Sequence, residues 1–391
     1  MTFDFDTFPD RRQTESTKWN YYDPDVLPMW VADMDFLSPP AVLDALQARI
    51  THGVFGYPVP PAGLKENIVS WLAHRHDWQV HVDDLVFVPG VVVGFNLAAH
   101  AVTRPGDGLV IQTPTYGPFF NVAENVKLVQ QEMELNRDHQ GQYQVDLDAF
   151  KATLTGRSRL FMLCNPQNPT GRVFRRDELE AMAEICLENE LIICSDEIHS
   201  DLVYSGHKHI PVAALAPEIA DQTITLLAPS KTFNIAGLKA SIAVITNPKL
   251  RKRFQAAQQG LVGSVNLLAM VAMQAAYEQG EPWLEALLQY LQANRDYLSD
   301  YVQENLPGVR LAQPESTYLA WLDCQEAGID GQASEFFLKQ ARVAMNAGEW
   351  FGKGGAGFVR LNFGCPRSML ADSLARLQTA LTSRPAQQPS T

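Results

Sequence analysis

The chain has 391 residues, more than one small core holds, so its length predicts two or three domains. Hydrophobic residues make up 46% and charged residues 19%, an ordinary soluble globular composition that excludes a long disordered protein. The formal net charge is −13 and no basic cluster suited to a phosphate backbone is present, which argues against nucleic acid and favours a small metabolite as the partner.

The cysteines and the N-terminus predict the compartment. Five dispersed cysteines lie mostly in apolar runs and are interpreted as buried free thiols in a reducing compartment. Residues 1–12 are acidic where a signal peptide is basic and then apolar, and no window has the apolar length needed to span a bilayer. We therefore expect a cytoplasmic protein that does not enter a membrane.

The first part of the chain divides into an irregular segment and two helices. Residues 1–40 are rich in aromatic residues and prolines, and we interpret Trp30, Met34 and Phe36 as packing residues. Helical patterns at 41–52 and 64–76 are separated by a loop rich in glycine and proline.

A repeated unit follows, in which a short apolar run leads into polar, glycine or proline residues and often a helix. The runs are LVFV, GLVIQT, RLFMLC, LIIC, TITLLA and ASIAVIT. Such runs are typical of strands buried on both faces, so we predict an α/β fold with a mostly parallel central sheet covered by helices. Ligands of these sheets bind at the carboxyl ends of the strands.

The last part of the chain predicts helices at 249–258, 264–279 and 281–305, the third bridging to a smaller α/β domain with strands between 309 and 364. The predicted organisation is an N-terminal arm with part of the small domain (1–45), a large domain (46–284), a C-terminal small domain (285–382) and a disordered tail (383–391).

Three predicted strand ends carry residues of complementary chemistry. The segment NPQNPTG (165–171), Asp196 and Lys231 each follow an apolar run. Burial disfavours the ammonium of a lysine and makes its amine a nucleophile. A lysine that attaches the cofactor, a carboxylate that keeps the ring nitrogen protonated and an amide that bonds the ring oxygen suit pyridoxal 5′-phosphate (PLP). The strand-turn-helix pattern at 88–94 presents backbone N–H groups to the phosphate.

The motifs NPQNPTG, SDEIH (195–199) and PSKTFNIAGL (229–238), in this order and at these separations, resemble fold-type I PLP-dependent enzymes of the class I/II aminotransferase superfamily. LPMWVADMDF (27–36) together with SDEIHSDLVY (195–204) resembles the MalY/PatB-type cystathionine β-lyase branch, also called cysteine-S-conjugate β-lyases. The resemblance extends from about residue 30 to residue 367.

The resemblance implies a role for each matching position. Lys231 attaches the cofactor, Asp196 pairs with the pyridine nitrogen, and Asn168 contacts the ring oxygen. The remaining assignments are the phosphate turn at Gly90, Val91 and Val92, Tyr116 stacked on the cofactor ring, Arg360 clamping the substrate carboxylate beside Asn168, and Tyr57 reaching the phosphate and substrate of a neighbouring subunit. Tyr57 thereby implies a homodimer with a shared active site.

Three positions depart from the aminotransferase pattern. His199 stands where a tyrosine is common, and its interpretation is divided between a cofactor-side residue and a hydrogen-bonded histidine of a buried turn. Lys239 replaces an arginine and contacts the phosphate through a single ammonium, without the paired N–H donors of a guanidinium. Ala228 replaces a phosphate-binding serine, for which Ser230 is the candidate substitute.

Two further motifs are set aside. His207, Lys208 and His209 are interpreted as a solvated loop, because no carboxylate or cysteine stands at ligand spacing, so no metal is expected. Residues 352–357 lack the order of a nucleotide loop and are interpreted as a flexible lid or hairpin. We expect this segment and residues 30–36 to contact the distal end of the substrate.

The predicted reaction is a β-elimination. Arg360 and Asn168 hold the carboxylate of cystathionine or a related cysteine S-conjugate, Lys231 removes the Cα proton, and the products are a thiol, pyruvate and ammonia. Either Lys231 or Tyr116 steers a proton to the leaving sulfur. The alternatives are a PLP-dependent aminotransferase that uses the same residues and a PLP-binding regulatory protein that acts through protein contacts.

Overall fold

The structure, a computed structural model, describes residues 3–383. The predicted disordered tail lies outside the described residues from position 384 onward. The strands are β1 (Leu27–Pro28), β2 (Leu85–Val88), β3 (Gly108–Thr113), β4 (Val129–Glu134), β5 (Asn136–Arg137), β6 (Tyr143–Gln144), β7 (Ser158–Cys164), β8 (Ile192–Asp196), β9 (Thr223–Leu227), β10 (Ser241–Val244), β11 (Arg310–Leu311), β12 (Leu319–Asp323), β13 (Val343–Ala344), β14 (Asn346–Ala347) and β15 (Phe358–Asn362).

Helices separate most of these strands. They are α1 (Thr17–Asn20), α2 (Pro40–His52), α3 (Leu64–His76), α4 (Val91–Val102), α5 (Pro118–Val126), α6 (Leu147–Thr153), α7 (Arg176–Glu188), α8 (Pro217–Ala220), α9 (Pro229–Thr232), α10 (Pro248–Gln258), α11 (Leu267–Gln279), α12 (Glu281–Asn305), α13 (Ala333–Gln340) and α14 (Arg367–Thr382).

The larger sheet has seven strands in the order β2-β10-β9-β8-β7-β3-β4. Only β10 runs antiparallel to its neighbours β2 and β9, so the prediction of a mostly parallel sheet is confirmed. Every residue of β3, β9 and β10 is buried, as expected for strands covered by helices on both faces. Strand β4 was not predicted. It lies at the edge of the sheet with only two buried side chains, so its mostly polar residues lack the apolar run that marked the other strands.

The smaller sheet is antiparallel, with the order β11-β12-β15-β14. Beside it, β1 pairs in parallel with β13, which joins the N-terminal segment to the C-terminal part of the chain. Helix α12 begins and ends as predicted and packs its leucines with those of α14 in one core cluster. The domain boundaries stay a prediction.

The start of each of two helices shows how local chemistry sets its position. Helix α11 begins at Leu267 and not at the predicted residue 264, because the side chain of Asn266 accepts the N–H of Ala269 as an N-cap. Helix α4, predicted to cover 95–102, begins four residues earlier at Val91, directly after Gly90. The earlier start places its N-terminus at the end of β2, where the phosphate turn was predicted.

All five cysteines are buried and free, as predicted. Within residues 3–383, no helix combines the length and the apolar composition needed to cross a bilayer.

Candidate active site

The carboxyl ends of three central strands lie side by side. The register pairs Cys164 with Asp196, and Asp196 with Leu226 of β9. Residues 165–171 leave β7 at this edge, and Lys231 follows β9 in the short helix α9. A cavity of about 350 Å³ opens there. Its lining includes the predicted site residues Val91, Val92, Tyr116, Asn168, Asp196, His199, Ser230, Lys231 and Arg360.

Asp196 is a buried carboxylate in need of a partner. Its side chain accepts the N–H of Ile198 at 3.1 Å, and none of the residues from 3 to 383 forms an ion pair with it. Burial raises the pKa of Asp196 to about 7. A carboxylate in such a place is costly unless a cation or a donor compensates it. The protonated nitrogen of the PLP ring is a donor of that kind, so this residue fits the cofactor.

Lys231 presents a partly buried amine to the same cavity. Its Nζ donates to the carbonyl oxygen of Ala32 at 2.6 Å. Burial, with the nearby charge of Arg360, lowers the pKa of Lys231 to about 8, against the opposing effects of Asp33 and Asp196. A larger share of the amine is therefore neutral near neutral pH than for an exposed lysine, as a nucleophile or proton acceptor requires.

Arg360, on β15, reaches the cavity from the smaller sheet. Its guanidinium donates to Oδ1 of Asn168 at 3.0 Å, to Oδ1 of Asn346 at 2.7 Å and to the carbonyl oxygen of Trp30 at 3.0 Å. Its buried Nε has no hydrogen-bond partner in the part of the chain that the structure describes. Burial lowers the pKa of Arg360 to about 10, so the group stays charged at neutral pH. A fixed guanidinium with an unused N–H suits a carboxylate ligand.

The N-terminus of α4 lies where the phosphate turn was predicted. Its first backbone hydrogen bond runs from the N–H of Gly94 to the carbonyl of Gly90, so the N–H groups of Val91 and Val92 have no acceptor within the helix. Gly90 adopts a φ of 113°, which favours glycine. Its own N–H is directed at the carbonyl of Val88 and the hydroxyl of Ser241, so the valines are the donors that remain for a phosphate.

Two predicted site residues lie away from the cavity. Lys239 is exposed and does not line it, and Tyr57 is fully exposed in the loop between α2 and α3. A role for Tyr57 at an active site requires a second copy of the chain. Both assignments stay predictions.

His199 is buried against the cavity. Burial, together with the charges of Lys231 and Arg360, lowers the pKa of His199 well below its ordinary value, so the ring is neutral at neutral pH. Its Nδ1 has no hydrogen-bond partner within residues 3–383. The ring lines the cavity with one nitrogen unpaired, and both interpretations of His199 stay predictions.

Asn346 and Trp350 line the cavity and were not assigned from the sequence. Asn346 accepts a hydrogen bond from Arg360, and Trp350 belongs to the 3₁₀ turn Gly348–Phe351. Of the two segments expected at the distal end of the substrate, 30–36 contributes Trp30, Val31 and Ala32 to the lining, whereas 352–357 does not line the cavity. The carbonyl oxygen of Trp30 also accepts from Arg360. Only the pairing of β14 with β15 brings Asn346 to Arg360, and no local sequence pattern reports that pairing.

The interpretation of 207–209 as a solvated loop is wrong at His209. This side chain is buried and its Nε2 lies 2.8 Å from Oε2 of Glu197, whereas His207 and Lys208 are exposed. Glu197 also accepts from the hydroxyl of Ser195 and the N–H of Val212. Among the described residues, no group of histidine, cysteine, aspartate or glutamate side chains could hold a metal ion.

A mostly parallel sheet whose edge carries this lysine, carboxylate and helix N-terminus defines a fold-type I PLP-dependent enzyme, as predicted. The sequence profile of the family Aminotransferase class I and II matches residues 24–377, and the chain belongs to this family.

Similar proteins narrow the position within the family. The cystathionine β-lyase PatB of Bacillus subtilis is 41% identical over 387 residues, which cover 97% of this chain and 100% of PatB. The protein MalY of Escherichia coli is 36% identical, with 97% and 99% covered. The crystal structure of the PLP-bound C–S lyase from Staphylococcus hominis has a TM-score of 0.92 and 36% identity, with 97% of this chain and 99% of that chain covered.

Proposed function

We propose that the protein is a PLP-dependent C–S β-lyase that cleaves cystathionine or a related cysteine S-conjugate to a thiol, pyruvate and ammonia. The observation that carries the proposal is the single cavity shared by the amine of Lys231, the carboxylate of Asp196 and the guanidinium of Arg360. The cavity alone serves elimination and transamination equally. The full-length similarity to PatB and to a C–S lyase favours elimination.

Arg360 binds the α-carboxylate of the substrate. Three protein acceptors fix the plane of its guanidinium, which limits the directions from which a carboxylate can approach. Because the Oδ1 of Asn168 accepts from Arg360, its Nδ2 remains to donate to a ligand. The substrate is thereby held with its Cα near Lys231.

Bound PLP supplies a protonated ring that withdraws electrons from the bond to be broken. The carboxylate of Asp196 keeps the proton on that ring, because a cation at this position relieves the cost of burying the carboxylate. Lys231 accepts the Cα proton, and the lowered pKa of its amine suits that transfer near neutral pH.

Two groups are candidates to protonate the departing sulfur. Lys231 carries the proton it has taken from Cα. Tyr116 lines the same cavity, and burial raises the pKa of its hydroxyl, which therefore stays protonated at neutral pH. A Tyr116→Phe variant that keeps its kcat with a poor leaving group assigns the step to Lys231.

We further propose a cytoplasmic homodimer in which Tyr57 of the partner subunit completes the active site. The end of α2 and the loop that carries Tyr57 expose apolar side chains, which is typical of an interface: Ile50 of α2, and Val54, Phe55, Tyr57 and Val59 of the loop. Five buried free thiols are consistent with a reducing compartment. Sedimentation measures the mass, and mixing inactive Tyr57→Ala and Lys231→Ala proteins restores activity only if the site is shared.

Incubation of the holoenzyme with cystathionine and no keto acid tests the reaction. A lyase releases pyruvate and a free thiol in equal amounts. An aminotransferase gives no sustained turnover until a keto acid is added, and that result would overturn the proposal. The Lys231→Ala protein controls for contaminating activity.

A further inference from the structure

The charged groups at the cavity are already assigned. Lys231 and Asp196 serve the cofactor and Arg360 the α-carboxylate, while the buried His199 is neutral. No other lysine, arginine, aspartate or glutamate within residues 3–383 lines the cavity. One copy of the chain therefore supplies no further charged side chain to pair with a charge at the far end of a substrate.

The rim of the cavity is apolar instead. Trp350 lines it with 46% of its surface exposed, and Val92 lines it with 41% exposed. The indole of Trp350 meets the ring of Tyr116 edge-on, with ring centres 5.7 Å apart. Large apolar side chains exposed at a cavity mouth provide a contact surface for an apolar ligand group.

The indole of Trp350 packs directly against Gly117. A Cβ atom added at Gly117 would lie 2.5 Å from Cε2 and 2.6 Å from Cζ2 of Trp350. The backbone of Gly117 has a φ of −47°, which any residue adopts, so the conformation does not require glycine. Glycine is required at position 117 because the indole ring of Trp350 lies too close for a Cβ atom.

The backbone holds Trp350 in a fixed relation to Arg360. Asn346 pairs with Arg360 between β14 and β15 and accepts its Nη2–H at 2.7 Å. Trp350 follows four residues later, in the 3₁₀ turn whose Phe351 carbonyl accepts the N–H of Thr115 at 2.8 Å. A substrate whose carboxylate is bound by Arg360 therefore contacts the indole of Trp350 at a fixed distance along the substrate's own side chain.

We infer that the preferred substrates are cysteine S-conjugates whose S-substituent is uncharged and apolar. Trp350, packed against Gly117, determines this specificity. The inference rests on the proposed C–S lyase function. Cystathionine carries a second ammonium and a second carboxylate at its far end. The indole face attracts an ammonium, but that carboxylate would lose water without gaining a cation from the protomer whose cavity holds it.

Binding of analogues that contain CH₂ in place of sulfur tests the inference in the holoenzyme, because such compounds cannot eliminate. We expect 2-amino-5-phenylpentanoate to bind at least about tenfold more tightly than 2,7-diaminooctanedioate, the corresponding analogue of cystathionine. Trp350→Ala weakens binding of the phenyl compound by about tenfold, and leaves that of 2-aminobutyrate, too short to reach the indole, within about twofold. Isothermal titration calorimetry measures each affinity.

Gly117→Ala displaces the indole while Trp350 remains present, so it reproduces the selective loss. Gly156→Ala is the matched control, since an added Cβ there meets nothing within 4 Å. Equal or tighter binding of the diaminooctanedioate overturns the inference, and so does a Trp350→Ala protein that binds all three compounds equally weakly. Absence of pyruvate from every sulfur amino acid, with the binding preference intact, instead defeats the proposed lyase reaction.

Discussion

Arg360 donates a hydrogen bond to Oδ1 of Asn168 across 3.0 Å, and this bond joins the two main sheets of the protein at the cavity. Arg360 belongs to β15 of the smaller sheet, and Asn168 follows β7 of the larger one. The guanidinium of Arg360, the proposed anchor of the substrate carboxylate, is therefore held by parts of the chain 192 residues apart. A shift of one sheet against the other moves the guanidinium relative to Lys231.

Replacement of Arg360 by lysine keeps the positive charge but removes the planar guanidinium that can donate two parallel hydrogen bonds to a carboxylate. Because a hydrogen bond to a charged group contributes about 1.5–3 kcal/mol, we expect kcat/KM to fall about 10- to 100-fold, mainly through a higher KM. Steady-state pyruvate release measures the change, and the bound cofactor should keep its absorbance. Arg310→Lys, on the exposed pair with Glu326, is the control and should leave kcat/KM unchanged. Similar losses in both variants contradict the role of Arg360.

Lys231→Ala should remove both covalent attachment of the cofactor and the acceptor of the Cα proton. We expect kcat to fall by at least about 100-fold, the low end for loss of a general base, and the cofactor to become removable by dialysis. Reduction with borohydride, followed by peptide mass analysis, shows whether the cofactor is fixed to residue 231. Lys239→Ala should keep the attachment, since that side chain is exposed and lies outside the cavity lining. Cofactor fixed to Lys239 would refute the assignment.

The lowered pKa of Lys231 predicts how the stability of the cofactor-free protein depends on pH. The unfolded lysine holds its proton up to a pKa of about 10.5 and the folded one only to about 8. Between these values the unfolded state binds more protons, so the contribution of Lys231 to stability rises with pH and is lost as pH falls through 8. Below pH 8 the buried ammonium destabilises the fold.

Lys231→Met removes this dependence. We expect the cofactor-free variant to gain stability over the wild-type protein below pH 8, and the difference to shrink by about 1–3 kcal/mol between pH 8 and 10.5. Urea unfolding of both cofactor-free proteins across this range gives the difference between their free energies of unfolding. The contributions of the other titrating groups are common to both proteins and cancel in that difference. A difference that does not vary with pH contradicts the lowered pKa.

The residues found from the sequence are those whose position follows from one strand end. Asp196, Lys231 and the segment 165–171 each come directly after a buried strand, and parallel strands carry their carboxyl ends to a common edge. Local order was therefore enough to bring them together. The same logic placed the phosphate turn between β2 and α4.

The residues that the sequence did not reveal depend on contacts that no local pattern displays. Trp350 reaches the cavity through a turn fixed by the carbonyl of Phe351 and the N–H of Thr115. His209 is buried with its Nε2 2.8 Å from Oε2 of Glu197, which lies 12 residues earlier in the chain. Neither contact has a period or spacing that a sequence displays, and a glycine-containing loop with two histidines and a lysine is ordinarily solvated.

His209 and His207 form a matched pair that tests the buried contact. His209→Ala leaves Oε2 of Glu197 buried without its partner at 2.8 Å. Because an unpaired buried carboxylate costs several kcal/mol, we expect the free energy of unfolding to fall by about 3 kcal/mol. His207 is 38% exposed on its side chain and lies 4.0 Å from Glu315, so His207→Ala should change stability by less than about 0.5 kcal/mol. Urea midpoints of the two holoenzymes give the comparison. Equal effects of the two substitutions would show that the contact with Glu197 contributes no more than an exposed one.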